Sequence, residues 1–310
     1  TKEYTSKMSN PIKHHFVSQF YLRNFTINGT KKETLFSYDK VKNTYFAANP
    51  EDICFIKNFN TISFPEKEFI VETEQSKIEA ILASSFKEII ETKEYPNDEQ
   101  LVHILNFIAL VSLRNPKTRA IFDKLYTDIA DKLMSMTMSS EKIYKDQCLQ
   151  VGIKEEDIIP YEKQKKFIED KSRYTLKINQ EVHIKSELKA IEELVNILYQ
   201  RNWYLIVSDE TIGEFITSDY PVSIAPLNKS DNLQHIGFGM NNTEVCFPIS
   251  KYLAFIGVFE DNEQKKFIAT KDIINKINKA TYDFANKQVF STKKIRGQYT
   301  KLIKNRKTKL

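Results

Sequence analysis

Residues 99–114, EQLVHILNFIALVSLR, decide the fold that the sequence predicts. Drawn as a helix, this segment carries apolar side chains on nearly every side. A helix with that pattern is buried all round, at the centre of a helical bundle. Asn97 and Asp98 precede the segment and favour a helix start, while Pro116 predicts its end at Asn115.

Helical patterns on both sides extend the predicted bundle. Residues 68–92 and 186–201 carry isoleucine, leucine and other apolar side chains at the helical period. A further helix is expected over 116–138, whereas 141–182 is charged and is expected to form a looser insertion with short helices. The sequence therefore predicts a helical region over 66–201.

Strand patterns occupy the rest of the chain. Residues 35–39 and 43–47 alternate and predict a hairpin within a mixed N-terminal region, 14–64. A strand-rich region covers 202–290, with short apolar strands joined by turns and an amphipathic closing helix over 272–288.

These strands are expected in hairpins rather than in β-α-β units, which indicates antiparallel pairing. The predicted fold class is α+β: a helical bundle core with a small antiparallel sheet of hairpin-connected strands. A single unit is expected over 1–310.

The net charge of +5 is concentrated at the C-terminus. Residues 293–310 contain eight lysines and arginines and no acidic residue, so the rest of the chain is close to neutral. We describe 291–310 as the basic tail. Such a tail attracts phosphate groups and predicts nucleic acid as a partner, with no membrane partner expected. The alternative is a solvated C-terminus that aids solubility.

Composition excludes several classes of function. The seven glycines build neither a phosphate-binding loop nor a dinucleotide fingerprint. Cys54, Cys148 and Cys246 are isolated, which argues against a disulfide framework or a cysteine zinc site and indicates buried, reduced thiols. No apolar run reaches membrane-spanning length and no signal peptide is evident, so a cytoplasmic protein is expected.

The first candidate site is KHHFVSQFYLRNF at 13–25. At helical spacing, one side of the segment carries His15, Gln19 and Arg23. Tyr21 lies on another side, which is aromatic. Histidine transfers protons near neutral pH or binds metals, and the adjacent His14 could share an ion with His15 if the segment starts extended. The alternative is a helix N-terminus at which His15 and Gln19 satisfy backbone groups.

The second candidate site is FITSDYPV at 215–222. A strand end that presents Ser218 and Asp219 is typical of a metal ligand or a general base. Equally, Asp219 could accept hydrogen bonds from its own turn. The third candidate is Arg114, at the end of the buried helix, which could bind a phosphate in a bidentate manner or form a structural pair with an inward-facing glutamate of the preceding helix. The glutamates considered for that pair are Glu72, Glu74 and Glu79.

Four segments together resemble a bacterial family catalogued as domain of unknown function 4238. They are HHFVSQFYLRNF at 14–25, RNP at 114–116, the stretch from Trp203 through FITSDYPV at 203–222, and FPIS at 247–250. The family commonly has proline in place of Ser18 and asparagine in place of Tyr220. The resemblance implies a bacterial origin and a single-unit architecture, and it implies no activity. The matching positions are His14, His15, Tyr21, Leu22, Phe25, Arg114, Pro116, Ser218, Asp219 and Pro221.

Two functions are expected from these residues. The first is a metal-dependent phosphodiester hydrolase, a nuclease acting in defence or as a toxin, with Mg²⁺ or Mn²⁺ held by His15 and Asp219. Its catalytic residues would be His14, His15, Arg114 and Asp219, and its binding residues Gln19, Tyr21, Arg23 and Ser218. The alternative is a non-catalytic sensor or interaction module that binds a small anionic ligand or a protein partner. A purely architectural cluster is the third interpretation.

Overall fold

The computed structural model describes residues 13–30, 32–63, 68–227 and 236–295. Within these ranges the helices are α1 (Gln19–Arg23), α2 (Val71–Thr92), α3 (Asp98–Leu113), α4 (Pro116–Thr137), α5 (Glu141–Gln150), α6 (Tyr161–Glu169), α7 (Gln180–Tyr199) and α8 (Lys271–Phe284). The strands are β1 (Lys13–His15), β2 (Leu35–Asp39), β3 (Thr44–Ala48), β4 (Phe55–Lys57), β5 (Thr61–Ser63), β6 (Glu68–Ile70), β7 (Asn202–Val207), β8 (Thr217–Ser218), β9 (Ser223–Pro226), β10 (Thr243–Ser250), β11 (Leu253–Val258), β12 (Lys266–Ile268) and β13 (Gln288–Ser291). Short 3₁₀ helices cover Pro50–Asp52 and Glu155–Asp157. The α+β class is confirmed.

Helix α3 is the buried centre that its sequence predicts. Its start is a capping box, in which the Asn97 side chain accepts from the Gln100 amide at 2.9 Å and the Gln100 side chain accepts from the Asn97 amide at 3.0 Å. Burial of its apolar side chains between Ile104 and Val111 stabilises the helix at this place, whereas Val102 in the first half of the helix is exposed. The buried apolar residues of α3 are Ile104, Leu105, Phe107, Ile108, Ala109 and Val111.

Aromatic rings around Phe107 hold the short helix α1 in place. The ring centroids of Phe86, Phe20, Tyr21 and Phe247 lie 5.1, 5.3, 5.4 and 6.0 Å from that of Phe107. These rings come from α2, α1 and β10, so α1 packs against two long helices and a sheet. A helix of five residues is not stable alone, and this packing supplies what its length cannot.

The prediction of one small antiparallel sheet is wrong. A five-stranded sheet has the order β12-β7-β11-β10-β9, and a four-stranded sheet has the order β3-β2-β13-β8. Two-stranded sheets pair β1 with β4 and β5 with β6. The five-stranded sheet is mixed, because the chain after β11 passes β7 and adds β12 at the far edge, parallel to β7. The predicted hairpin of β2 and β3 is confirmed.

Two helix boundaries also differ from the predictions. Glu68–Ile70 is strand β6 rather than the first turn of α2, because it pairs with β5. The closing helix α8 ends at Phe284 rather than near 288, because Gln288–Ser291 forms strand β13 between β2 and β8.

The chain divides into two compact units. One comprises Thr1–Lys117 and Ile184–Leu310, and the other is Thr118–His183. The second unit contains the part expected as a looser insertion, and it holds the helices α5 and α6 together with most of α4. A single unit over 1–310 stays a prediction. The basic tail lies outside the described residues from 296 onward, so its binding of nucleic acid stays a prediction too.

Cys54, Cys148 and Cys246 are buried free thiols, as predicted. None of the helices in the described ranges is long and apolar enough to cross a membrane.

Gly257 in β11 allows the Trp203 ring of the paired strand to lie against its backbone. A Cβ atom at this position would lie 2.9 Å from the ring of Trp203, which is buried in the facing strand β7. We expect Gly257→Ala to lower the free energy of unfolding by about 1–3 kcal/mol, because the indole ring must move within a packed core. Urea denaturation measures the loss, and Gly237→Ala, where no atom lies within 4 Å, is the control. Equal stability of the two variants would contradict this packing.

Candidate functional site

The two adjacent histidines lie on opposite faces of strand β1. Side chains alternate along a strand, so an extended start separates the imidazoles instead of bringing them to one ion. His14 is buried, and its Nδ1 atom accepts a hydrogen bond of 2.8 Å from the Asn60 amide. His15 packs at 5.7 Å against the Phe55 ring on the paired strand β4. This alternation favours separate roles for the two histidines, and the hypothesis that both bind one metal ion from an extended segment stays a prediction.

His15 lies at the wall of an open cavity of about 730 Å³, which we call the His15 cavity. This volume falls within the roughly 300–1,000 Å³ of small-molecule sites. The wall combines β1, α1, the 3₁₀ helix Pro50–Asp52 and α2. Its residues are Lys13, His15, Gln19, Phe20, Arg23, Glu51, Asp52, Glu79, Ala80 and Ala83.

The predicted stripe of His15, Gln19 and Arg23 meets at this cavity. Arg23 Nη2 donates to Gln19 Oε1 at 2.9 Å, and Gln19 Nε2 is 3.4 Å from His15 Nε2. His15 Nε2 is also 3.3 Å from the backbone oxygen of Glu51. The segment is not one continuous helix, yet the chain turns between β1 and α1 so that the three side chains still form a row.

Two of the three acidic side chains that line the cavity, Asp52 and Glu79, have polar partners among the described residues. Lys13 Nζ donates to Asp52 Oδ1 at 3.1 Å, with both side chains about half exposed. Glu79 Oε1 accepts from Ser18 Oγ at 2.5 Å. Within the wall, Lys13 thereby partly offsets the negative charge of Asp52.

Arg114 contacts the cavity through Glu79. Its Nη2 atom is 3.7 Å from Glu79 Oε1, and the guanidinium is almost completely buried. The sequence-based alternative of a structural pair with an inward-facing glutamate of α2 is thus confirmed for Glu79. A buried arginine of this kind links α2 to the end of α3.

Tyr21 points away from the His15 cavity into the core. Its hydroxyl donates to the Pro248 carbonyl at 2.7 Å and shares a hydrogen bond of 2.7 Å with Thr217 Oγ1. The ring stacks on Phe247 at 5.4 Å. Burial raises the pKa of the Tyr21 hydroxyl far above its ordinary value, so this group stays protonated and joins α1 to strands β8 and β10.

Asp219 accepts hydrogen bonds from three backbone amides. Oδ1 accepts from the Asn286 amide at 2.8 Å, and Oδ2 accepts from those of Lys287 at 2.8 Å and Gln288 at 3.1 Å. Burial raises the pKa of the Asp219 carboxyl, and the three amide hydrogen bonds oppose that rise. Asn115 Nδ2 adds a hydrogen bond to the Asp219 backbone oxygen at 2.9 Å.

Ser218 makes a turn contact and is buried. Its Oγ atom accepts a hydrogen bond of 3.1 Å from the Tyr220 amide. Together with the contacts of Asp219, this favours the structural interpretation of the 215–222 segment over the catalytic one. The backbone amides that donate to Asp219 run from the end of α8 to the first residue of β13. Asp219 therefore joins the closing helix to the four-stranded sheet.

The predicted site residues therefore separate into two groups. His15, Gln19 and Arg23 line the His15 cavity, with Arg114 linked to it through Glu79. His14, Tyr21, Ser218 and Asp219 are not among the described residues that line it. In the described ranges, no three histidine, cysteine or acidic side chains are grouped to hold a metal ion. The assignment of a metal to His15 and Asp219 stays a prediction.

Sequence reasoning missed several residues of the cavity wall. Lys13 and Phe20 lie inside the predicted segment, and only their places relative to His15 identify them. Glu51 and Asp52 follow a proline, a pattern typical of a helix start, which gives no indication of a binding role. The sequence indicates Glu79 as a partner of Arg114, but its spacing gives no sign of the contact with Ser18 or of its place at the cavity.

The fold and the cavity define an α+β protein with a polar cavity between the short helix α1 and α2. The chain belongs to the family described as proteins of unknown function, DUF4238, whose sequence model matches residues 13–294. The resemblance expected from the four segments is thereby confirmed. No curated protein and no solved structure matches the chain.

Proposed function

We propose that this protein is a binding module for a small polar ligand that carries a carboxylate or phosphate group. The ligand enters the His15 cavity and its acidic group binds Arg23. This is the non-catalytic alternative expected from the sequence, with the ligand class narrowed to an oxyanion.

The proposal rests on a hydrogen-bond donor of Arg23 that has no partner in the described protein. Its guanidinium has five N–H donors in a planar fork. Within the described residues, the Nη2 nitrogen of Arg23 donates to Gln19, and its Nε nitrogen is buried with no hydrogen-bond partner. No carboxylate of the described chain lies within ion-pair distance of Arg23, although Asp52 and Glu79 each have a cation nearby.

A partly buried guanidinium without an acidic partner favours an anionic ligand. Carboxylates and phosphates accept two parallel hydrogen bonds from an arginine, and such charge-assisted pairs are stronger than neutral ones. Gln19 holds the Arg23 fork in place, and His15 adds a second polar group at the same wall. Phe20, Ala80 and Ala83 supply apolar contact for the remainder of the ligand.

Metal-dependent phosphodiester hydrolysis has less support. Three backbone amides already donate to the Asp219 carboxylate, which has about four acceptor sites, so little capacity remains for a metal bond. His14 Nδ1 is likewise engaged by Asn60. The hydrolase therefore stays a competing prediction whose ligand would be Mg²⁺ or Mn²⁺.

Replacing Arg23 tests the proposal. We expect inorganic phosphate or succinate to raise the melting temperature of the wild-type chain at constant ionic strength, because a ligand that binds the folded state stabilises it. Arg23→Ala should weaken this binding by about tenfold or more, as the loss of one charge-assisted pair predicts. Arg23→Lys should weaken it less, because lysine keeps the charge and loses the fork.

The matched control is Arg173→Ala, at an exposed arginine of the other compact unit. Its response to phosphate and succinate should equal that of the wild-type chain. An equal response of Arg23→Ala would show that the anion binds elsewhere and would overturn the proposal. Stabilisation by Mn²⁺ or Mg²⁺, with no response to either anion, would favour the hydrolase instead.

A further inference from the structure

Helix α4 carries a row of exposed apolar side chains, which we call the α4 stripe. Its members recur every three or four residues and are between 46% and 66% exposed. Spacing of this kind places them on one face of the helix, over about 24 Å of its length. The α4 stripe consists of Ile121, Leu125, Ile129, Leu133 and Met136.

The unit that contains most of α4 leaves many apolar side chains exposed. Across residues 118–183, twelve large apolar side chains are exposed, whereas Tyr144 and Cys148 are the apolar side chains that are buried. A contiguous exposed apolar patch on a folded protein marks an interaction surface. The α4 stripe is the part of this surface with helical regularity.

We propose that the α4 stripe is a homodimer interface, in which α4 packs antiparallel against α4 of a second copy across a two-fold axis. If the axis passes at the level of Thr127, Ile121 faces Leu133 of the second copy and Leu125 faces Ile129 of the second copy. Each of the four layers then pairs one isoleucine with one leucine. A two-fold contact of this kind uses the same patch on both copies.

The charged residues beside the α4 stripe favour a second copy of this chain as the partner. One flank of the α4 stripe carries charges at intervals of four residues: Lys124, Asp128 and Lys132. A two-fold axis places this flank against the same flank of the second copy. With 1.5 Å of rise per residue, Lys124 lies about 3 Å along the axis from Asp128 of the second copy. The dimer therefore gains two opposite-charge pairs.

Other occupants fit this flank less well. A helix that lies on an anionic membrane surface has lysine and arginine along its polar face, whereas this flank carries both signs. A strongly acidic or basic partner would meet a like charge at either Asp128 or the two lysines. Self-pairing is the arrangement in which the alternating signs complement each other.

Sedimentation of the full chain tests the dimer. The wild-type chain should reach twice its mass of 36.3 kDa at micromolar concentrations. Leu125→Glu should raise the dissociation constant by about 100-fold or more, because each dimer carries the buried charge twice. Leu149→Glu on α5 is the matched control: Leu149 is 44% exposed and Leu125 is 50% exposed, and only the latter is in the stripe.

Charge exchange tests the antiparallel pairing separately. Lys124→Asp and Asp128→Lys should each weaken the dimer several-fold, and the double exchange should restore it, with circular dichroism unchanged throughout. A monomeric wild-type chain would overturn the proposal, including one that binds phosphatidylglycerol vesicles. Equal effects of Leu125→Glu and Leu149→Glu would overturn it as well, and so would a double exchange that fails to restore the dimer.

Discussion

Asp219→Ala is expected to lower the free energy of unfolding by about 3–5 kcal/mol, because three backbone amides lose a charged acceptor that is itself buried. These amides belong to Asn286, Lys287 and Gln288, which connect α8 to β13. Asp219→Asn should cost clearly less, since an amide side chain keeps one oxygen that can accept. Urea denaturation followed by circular dichroism measures both losses.

Asp209→Ala is the control for this experiment. Asp209 also accepts backbone amides, from Thr211 and Ile212, but it is exposed, so water replaces the lost acceptor. Its stability loss should be much smaller than that of Asp219→Ala. If Asp219→Ala folded as stably as the wild-type chain, the structural role of Asp219 would be refuted and the catalytic interpretation would regain support.

Arg201→Ala is expected to cost about 3 kcal/mol or more, because one buried guanidinium satisfies several carbonyls at the end of the five-stranded sheet. Its hydrogen bonds to the carbonyls of Phe238, Thr243 and Gly257 are 2.5–3.1 Å long. Burial lowers the pKa of Arg201 to about 10, so the side chain is still cationic at neutral pH. Arg201→Lys should recover a minor part of the stability, because three donors on one atom cannot reach carbonyls on both sides.

The comparison for Arg201 is Lys266→Ala, which removes the partner of the largely exposed Glu94. Pairs of that kind contribute little to stability, so the loss should be small. Thermal or urea unfolding of the three variants gives the order of stability. A loss in Arg201→Ala no greater than that in Lys266→Ala would contradict the role assigned to Arg201.

Local patterns were sufficient to predict much of the fold. The apolar periodicity of α3 predicted a buried central helix, and the alternation in β2 and β3 predicted their hairpin. Pairings between distant segments could not be predicted in this way. Strand β13 pairs with β2 across about 250 residues, and strands of two to four residues leave almost no pattern.

The candidate site was predictable to a similar extent. The spacing of His15, Gln19 and Arg23 indicated a shared polar face, and these residues do line one cavity. Asp219 was harder to interpret, because an aspartate at a strand end looks the same whether it binds a metal or accepts backbone amides. What distinguishes the two roles is the loop at 286–288, which lies about 70 residues further along the chain.

Nuclear magnetic resonance of arginine side chains tests the central claim most directly. The Nε–H resonance of Arg23, assigned by its absence in Arg23→Lys, should move when inorganic phosphate or succinate is added, while that of Arg173 stays in place. A saturating shift at Arg23 is the predicted result. If Arg23 were unchanged while the anion shifted other resonances, the acidic group would bind elsewhere and the proposed role of the His15 cavity would be wrong.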